Sequence, residues 1–319
     1  MTEARVAPLG RGVHRVTMPL PWALDHVHCY AIEDADGWTI VDCGLGTPGT
    51  IRRWEEALAR LGSPPVRRLV LTHYHPDHLG ASRALAELTQ AEEIVQGRFD
   101  ADLSRRTWGD AADPDAFRRY LLANGMPPEE AGRSVDEEGG TPVELATPTR
   151  LVEEGDTLEL GGEEFTVLVM PGHADGHIVL LAPRTGAMFG GDVLLLEITP
   201  NVGRWEDTLP DPLGRYLETL HRIEELGPSL VYPGHRGVID AAATRAAEIR
   251  AHHAERLDEH ERALQEGAQT AYQVGRAVWG DGLGLHERRF ALVEAISHLE
   301  RLGMEGRAVE YEPTRWRAV

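Results

Sequence analysis

The sequence predicts an α+β fold, an αββα sandwich followed by a C-terminal helical, winged-helix-like module. Three observations support it: strand-rich stretches at 13–44 and 147–195 flanked by helical segments, a helix-rich region beyond 239, and His/Asp motifs where strands run out. With 319 residues, 42% hydrophobic and 26% charged, the chain can bury a large core and does not read as disordered.

The elements follow in order. "VHRVTMP" (13–19), "VHCYAIED" (27–34) and "WTIVDCG" (38–44) are rich in Val, Ile, Tyr and Trp and read as strands, with "DADG" (34–37) as a hairpin turn. A helix then runs from Thr47 or Pro48 to Leu61, with Ile51, Trp54, Leu58 and Leu61 spaced for one buried face. "VRRLVLTH" (66–73) reads as a buried strand and "PDHLGASRALAELTQ" (76–90) as a helix with proline in its first turn. Residues 98–148 change character and read as a helical insertion, a candidate lid. Strands resume in "TPTRLVEEGDTLELGGEEFTVLVMPG" (147–172), "HIVLLAP" (177–183) and "GAMFGGDVLL" (186–195). An amphipathic helix at 211–226 leads into "LVYPGH" (230–235). Helices follow to about 266, then "TAYQVGRAVWG" (270–280), "RRFALVEAISHLERLG" (288–303) and the tail "GRAVEYEPTRW" (306–316), the helix-helix-helix-hairpin order of a winged helix. The expected division is a catalytic domain over 1–240 and a module over 241–319.

Composition narrows the chemistry. The net charge is −20, from 32 basic and 52 acidic residues, and such a field repels phosphate polymers, so nucleic acid is a disfavoured partner. Every basic residue is arginine, which excludes lysine nucleophiles, Schiff bases and a P-loop lysine. Cys29 and Cys43 are the two cysteines, "MTEARVAPLGRGVHRV" lacks the apolar core of a secretion signal, and no run is apolar enough to span a membrane. A cytoplasmic protein is expected, without a membrane partner and with reduced thiols.

The loop "LTHYHPDHLGAS" (71–82) concentrates donors. In a chain leaving a strand, His73 and His75 point to one side; Pro76 turns the backbone, and Asp77 and His78 project from the helix start. Imidazole and carboxylate suit zinc, iron or manganese. One loop rarely suffices, and three distant strand ends add His173 in "PGHADGH", Asp192 in "FGGDVL" and His235 in "VYPGH".

This order of motifs, with Asp42 in "IVDCGLG", resembles the metallo-β-lactamase superfamily over roughly residues 10–240. The resemblance implies two divalent metal ions, zinc first, with iron or manganese as alternatives. His73, His75 and His173 would hold one ion, Asp77, His78 and His235 the other, and Asp192 would bridge them. Asp42 would orient the loop from behind the ligands, and His177 would be a hydrogen-bonded neighbour. A water between two cations is acidified towards neutrality, and Asp77 would steer it and pass a proton to the leaving group.

The C-terminal stretch looks like the winged-helix tail of the beta-lactamase-like protein 2 branch, with its glyoxalase-II-like catalytic domain. That branch and its neighbours include acyl-thioester hydrolases and single-strand RNA endonucleases. Residues 267–319 carry seven arginines and seven acidic residues, whereas a nucleic-acid-reading wing should be basic. The expectation is therefore a thioester hydrolase, or an ester or lactone hydrolase, acting on a small acyl substrate, with this module packing against the catalytic domain, shaping the site's rim or mediating the contacts of a homodimer. A metal-dependent RNA or DNA phosphodiesterase and a non-enzymatic binding protein are the rivals. Tyr74, Trp22 and Trp205 are candidate walls for the acyl group, with Trp108 and Phe117 beside them. His252, His253 and His260 read as surface residues.

Overall fold

The computed structural model describes residues 5–109, 112–139, 141 and 143–319. Residues 1–4, which open the stretch read for a secretion signal, and positions 110, 111, 140 and 142 of the helical insertion lie outside the described residues. The chain divides into two compact units. The first draws on Met1–Ala112, Pro142–Thr199 and Leu226–Ala243, the second on Asp113–Thr141, Pro200–Glu225 and Thr244–Val319.

The first unit contains two sheets. One holds β1 (Arg5–Gly10), β2 (Val13–Pro19), β3 (His26–Asp34), β4 (Gly37–Val41), β5 (Val66–Leu71), β6 (Glu93–Gly97) and β7 (Arg150–Val152), neighbours in sequence order. β1 to β4 pair antiparallel, with the expected hairpin closing at Asp34 and Gly37, and β4 to β7 pair parallel. Parallel strands need crossovers. α1 (Pro48–Arg60) supplies the first, and α2 (Pro76–Leu79) with α3 (Ser82–Thr89) the second. The next connection runs through α4 (Arg98–Trp108), α5 (Pro114–Ala123) and α6 (Pro128–Gly139), of which α4 belongs to the first unit and α5 and α6 to the second. The other sheet orders its strands β12-β11-β10-β9-β8: β8 (Thr157–Leu160), β9 (Glu163–Val169), β10 (Ile178–Leu181), β11 (Ala187–Gly191) and β12 (Leu230–Pro233). Between β11 and β12 runs α7 (Pro212–Leu226).

Period-two alternation explains the layering. On β3, Tyr30 and Ile32 enter the core shared by the two sheets, with Phe165, Val167 and Phe189 of the second sheet. Cys29 and Ala31 face the opposite way, where they join Trp54 of α1, Leu79 of α2 and Leu85 of α3. Trp54 anchors α1 doubly, since it is wholly buried and its indole N–H donates to the Cys43 carbonyl at 2.8 Å. Cys29 and Cys43 are free and buried.

Two local expectations need correction. The helix read over 76–90 is two helices, because tertiary hydrogen bonds take the backbone groups at the break. Ala81 N–H donates to Gly44 O at 2.8 Å, and Gly80 O accepts Glu144 N–H at 2.7 Å. The hydrophobic pattern also misses β1 and β6. β1 is a half-exposed edge strand containing Pro8, and β6 is only five residues long, so neither shows clear periodicity.

The second unit is helical, combining α5, α6 and most of α7 with α8 (Ala242–Gln265), α9 (Ala271–Trp279) and α10 (Leu285–Met304). A hairpin of β13 (Ala308–Glu312) and β14 (Arg315–Ala318) ends the chain. The helix-helix-helix-hairpin order is therefore present, while residues 200–225 group with these helices. His253 and His260, read as surface residues, are completely buried, and His252 is partly so. α8 turns the first two toward His298 of α10. Among the described residues, no helix is long and apolar enough to cross a membrane.

Candidate metal centre

The donors gather where strands end. β5 finishes at Leu71, His73 and His75 follow on the loop, and His75 is the residue that caps α2, so Asp77 and His78 fall in that helix's first turn. His173 follows β9, Asp192 follows β11 and His235 follows β12. Two glycines permit the close approach. Gly191 has φ +48°, and a Cβ there would lie 2.7 Å from His177 Nε2 and 2.8 Å from the Thr72 hydroxyl. At Gly234 a Cβ would fall on the Asp192 carboxylate and the His78 ring.

The side chains converge in overlapping threes. His73, His75 and His173 offer donor atoms within 4.8 Å of one another, as do Asp77, His78 and His235, and also His73, His78 and Asp192. One oxygen of Asp192 lies 3.1 Å from His235 Nε2, 3.4 Å from His78 Nε2 and 3.8 Å from His173 Nε2. It therefore reaches both groups of three. Asp77 Oδ2 lies 3.4 Å from His235 Nε2 and 3.9 Å from His78 Nε2.

Hydrogen bonds behind the donors fix their orientation. Asp42, buried with φ 59°, accepts the Thr72 amide and hydroxyl at 2.9 Å each and His78 Nδ1–H at 2.8 Å. Holding Nδ1–H aims His78 Nε2 inward. His235 Nδ1–H donates likewise to His26 O at 2.6 Å. His177 accepts the Asp192 amide on Nε2 at 3.1 Å and stacks on His73, so it positions a donor from behind.

The electrostatics favour cations. Burial opposes charge on His78 and His235, yet Asp192 and its neighbouring carboxylates push His78 well above the usual imidazole range and His235 up to about 10. Asp192 is held well below the carboxylate range against its burial by His235 and His78. Burial, and then the neighbouring imidazoles, push His73 well below its ordinary value, and burial lowers His177 to about 3. Ionised carboxylates thus draw positive charge into a nest of otherwise neutral imidazoles. His78 Nε2 and His235 Nε2 face Asp192 Oδ2 at ion-pair range without hydrogen-bond geometry, and Asp192 Oδ1 is buried without a hydrogen-bond partner. Each orphan costs about 1–3 kcal/mol, a cost that coordination to divalent cations removes, so the residues fit the metals.

Sequence reasoning missed several supporting residues. Asp100, wholly buried and pushed up to about 8 by burial, accepts the Tyr74 amide at 2.9 Å and the Gln96 side chain at 2.7 Å, pinning the histidine loop. No local motif marks it. Thr72 could have been found, since it directly precedes His73 at a strand end. Tyr74, read as a candidate wall, is only 5% exposed and packs in the core beside His75, and its carbonyl accepts the Trp108 indole N–H at 2.8 Å. Trp22 is half-buried against the same core. Trp205 lies in the second unit between Phe117 and Phe290.

Two packed sheets with a buried His/Asp nest at their strand ends define a metallo-hydrolase. The chain belongs to the metallo-beta-lactamase superfamily, whose family model matches residues 22–235, and a second model, the metallo-beta-lactamase-like C-terminal domain, matches 257–314. It is similar to the probable metallo-hydrolase YqjP of Bacillus subtilis, 28% identical over 306 residues and 93% of each chain. The crystal structure of the metallo-beta-lactamase family protein TTHA1429 from Thermus thermophilus superposes with a TM-score of 0.86 at 32% identity, covering 98% of this chain and 100% of that one. Further relatives are the acyl-coenzyme A thioesterase MBLAC2 of Gallus gallus, 27% identical over 73% of this chain and 81% of its own, and the hydroxyacylglutathione hydrolase GloC of Haemophilus influenzae, 31% identical over 51% and 63%.

Proposed function

We propose that this protein hydrolyses a thioester of a small organic acid at a centre of two divalent metal ions. The observation that carries this reading is the full set of donors with both threes intact and Asp192 within reach of each. The names of MBLAC2 and GloC, both of which describe thioester hydrolysis, support the bond class.

His73, His75 and His173 would hold one ion, Asp77, His78 and His235 the other, and Asp192 would hold both. When bound, such ions acidify water and polarise a carbonyl oxygen. Asp42 keeps His78 Nε2 presented, and His177 keeps the Asp192 backbone in place. Asp77 orients the attacking water through its carboxylate and carries the proton toward the departing thiolate. A thiolate is a good leaving group, so one carboxylate is enough for proton traffic and no protein nucleophile is required.

The test is a panel of an acyl-coenzyme A, a hydroxyacylglutathione, a lactone, an aryl ester and a single-stranded oligonucleotide, run with metal-loaded and chelator-treated protein. Metal-dependent turnover highest on a thioester is the expected outcome. Oligonucleotide cleavage without thioester turnover would overturn the reading in favour of a phosphodiesterase.

A further inference from the structure

The second unit encloses another group of donors. His253 of α8 and Glu294 and His298 of α10 offer ligand atoms within 4.8 Å of one another. Both imidazoles are completely buried, and Glu294 is partly buried. Glu294 and His298 share a face because they are four residues apart on one helix, and His253 and His260 are two turns apart on another.

The tautomers are set by backbone. His298 Nδ1 meets the Glu294 carbonyl at 2.8 Å, and His260 Nδ1 meets the Arg256 carbonyl at 2.6 Å. A carbonyl only accepts, so both rings carry hydrogen on Nδ1, and the neutral rings present lone pairs on Nε2. Burial keeps them neutral, lowering His298 to about 4 and holding His260 and His253 well below the ordinary value. The rings of His260 and His298 stack at 4.3 Å, and His298 Nε2 lies 3.3 Å from His253 Nδ1. Even if His253 donates to His298, the Nε2 atoms of His253 and His260 remain buried without a hydrogen-bond partner. An imidazole that gives its other N–H to a backbone carbonyl is the usual arrangement of a metal ligand.

We propose that His253, Glu294 and His298 form a separate site for a zinc-like divalent cation, with His260 stacked behind His298. Glu294 accepts the Asn201 amide at 2.6 Å, and burial pushes its carboxyl up to about 7 despite that hydrogen bond and the Arg256 guanidinium. A bound cation would offset that burial. Arg256 is itself paired with Glu259 at 2.6 Å and lies over Trp279. The inference does not depend on the reaction proposed for the first centre.

The full chain is stripped with chelator, dialysed against Zn2+ and analysed for metal by mass spectrometry. A His73→Ala/His75→Ala/His235→Ala background should retain about one equivalent, and Co2+ loading should give visible absorption from nitrogen ligation. Adding Glu294→Gln/His298→Gln should remove both signals. A background that holds no metal, or a combined variant that keeps it, overturns the site. Glu294→Gln alone keeps an acceptor for Asn201 and should weaken one Zn2+ affinity of the full chain by at least about tenfold. An unchanged affinity in that single variant also overturns the site, whatever the fate of the multiple variants.

Discussion

At the scale of single residues, the chemistry rests on groups that touch donors from behind. Asp42 accepts three hydrogen bonds, from the Thr72 amide and hydroxyl and from His78, in a left-handed backbone conformation that aspartate and asparagine tolerate better than most residues. Asp42→Asn preserves shape and backbone but loses the negative charge that makes His78 a stronger donor. Metal affinity should fall by about 10–100-fold, read by competition with a chromophoric chelator, with the fold intact by circular dichroism. An unchanged affinity would reduce Asp42 to a packing residue. The donors themselves were legible in the sequence because His73, His75, Asp77 and His78 share one loop and the others follow Pro-Gly or Gly-Gly turns. Asp100 was not, because its partner Tyr74 lies 26 residues away and only folding brings them together. The burial of Tyr74 was hidden for a related reason, since only folding covers the loop that carries it.

At the scale of elements, periodicity served well where one face is buried and poorly where tertiary hydrogen bonds intervene. α1 and α7 lie within a residue or two of their expected bounds, whereas Gly44 and Glu144 break the expected helix into α2 and α3 by claiming backbone groups that a continuous helix would use. Local capping also fixes helix starts. The "TAYQ" start of α9 forms a capping box, with the Thr270 hydroxyl accepting the Gln273 amide and the Gln273 side chain accepting the Thr270 amide. Thr270→Ala should cost about 1 kcal/mol of stability, measured by urea denaturation of the metal-loaded chain. A loss well under half of that would mean tertiary packing alone holds the helix start.

At the scale of the whole molecule, the net charge of −20 sets which partners can approach. The sequence reading divides the chain once, between 240 and 241, whereas each compact unit is assembled from three separated pieces of chain whose association rests on contacts distant in sequence. Charge needs no fold to be counted. Four of the seven arginines of the C-terminal stretch are engaged with carboxylates: Arg276 with Asp281, Arg288 with Glu130, Arg301 with Asp211, and Arg307 with Asp258 and Glu261. Such pairing reduces the positive potential this stretch can offer, so we predict little favourable free energy from counterion release on a polyanion. Labelled single-stranded RNA and DNA should therefore show no salt-sensitive binding by fluorescence polarisation, even at low ionic strength, where such attraction is strongest. Tight binding that weakens steeply with added salt would show that a local basic surface defeats the overall charge, and would move the centre's chemistry toward phosphodiester cleavage.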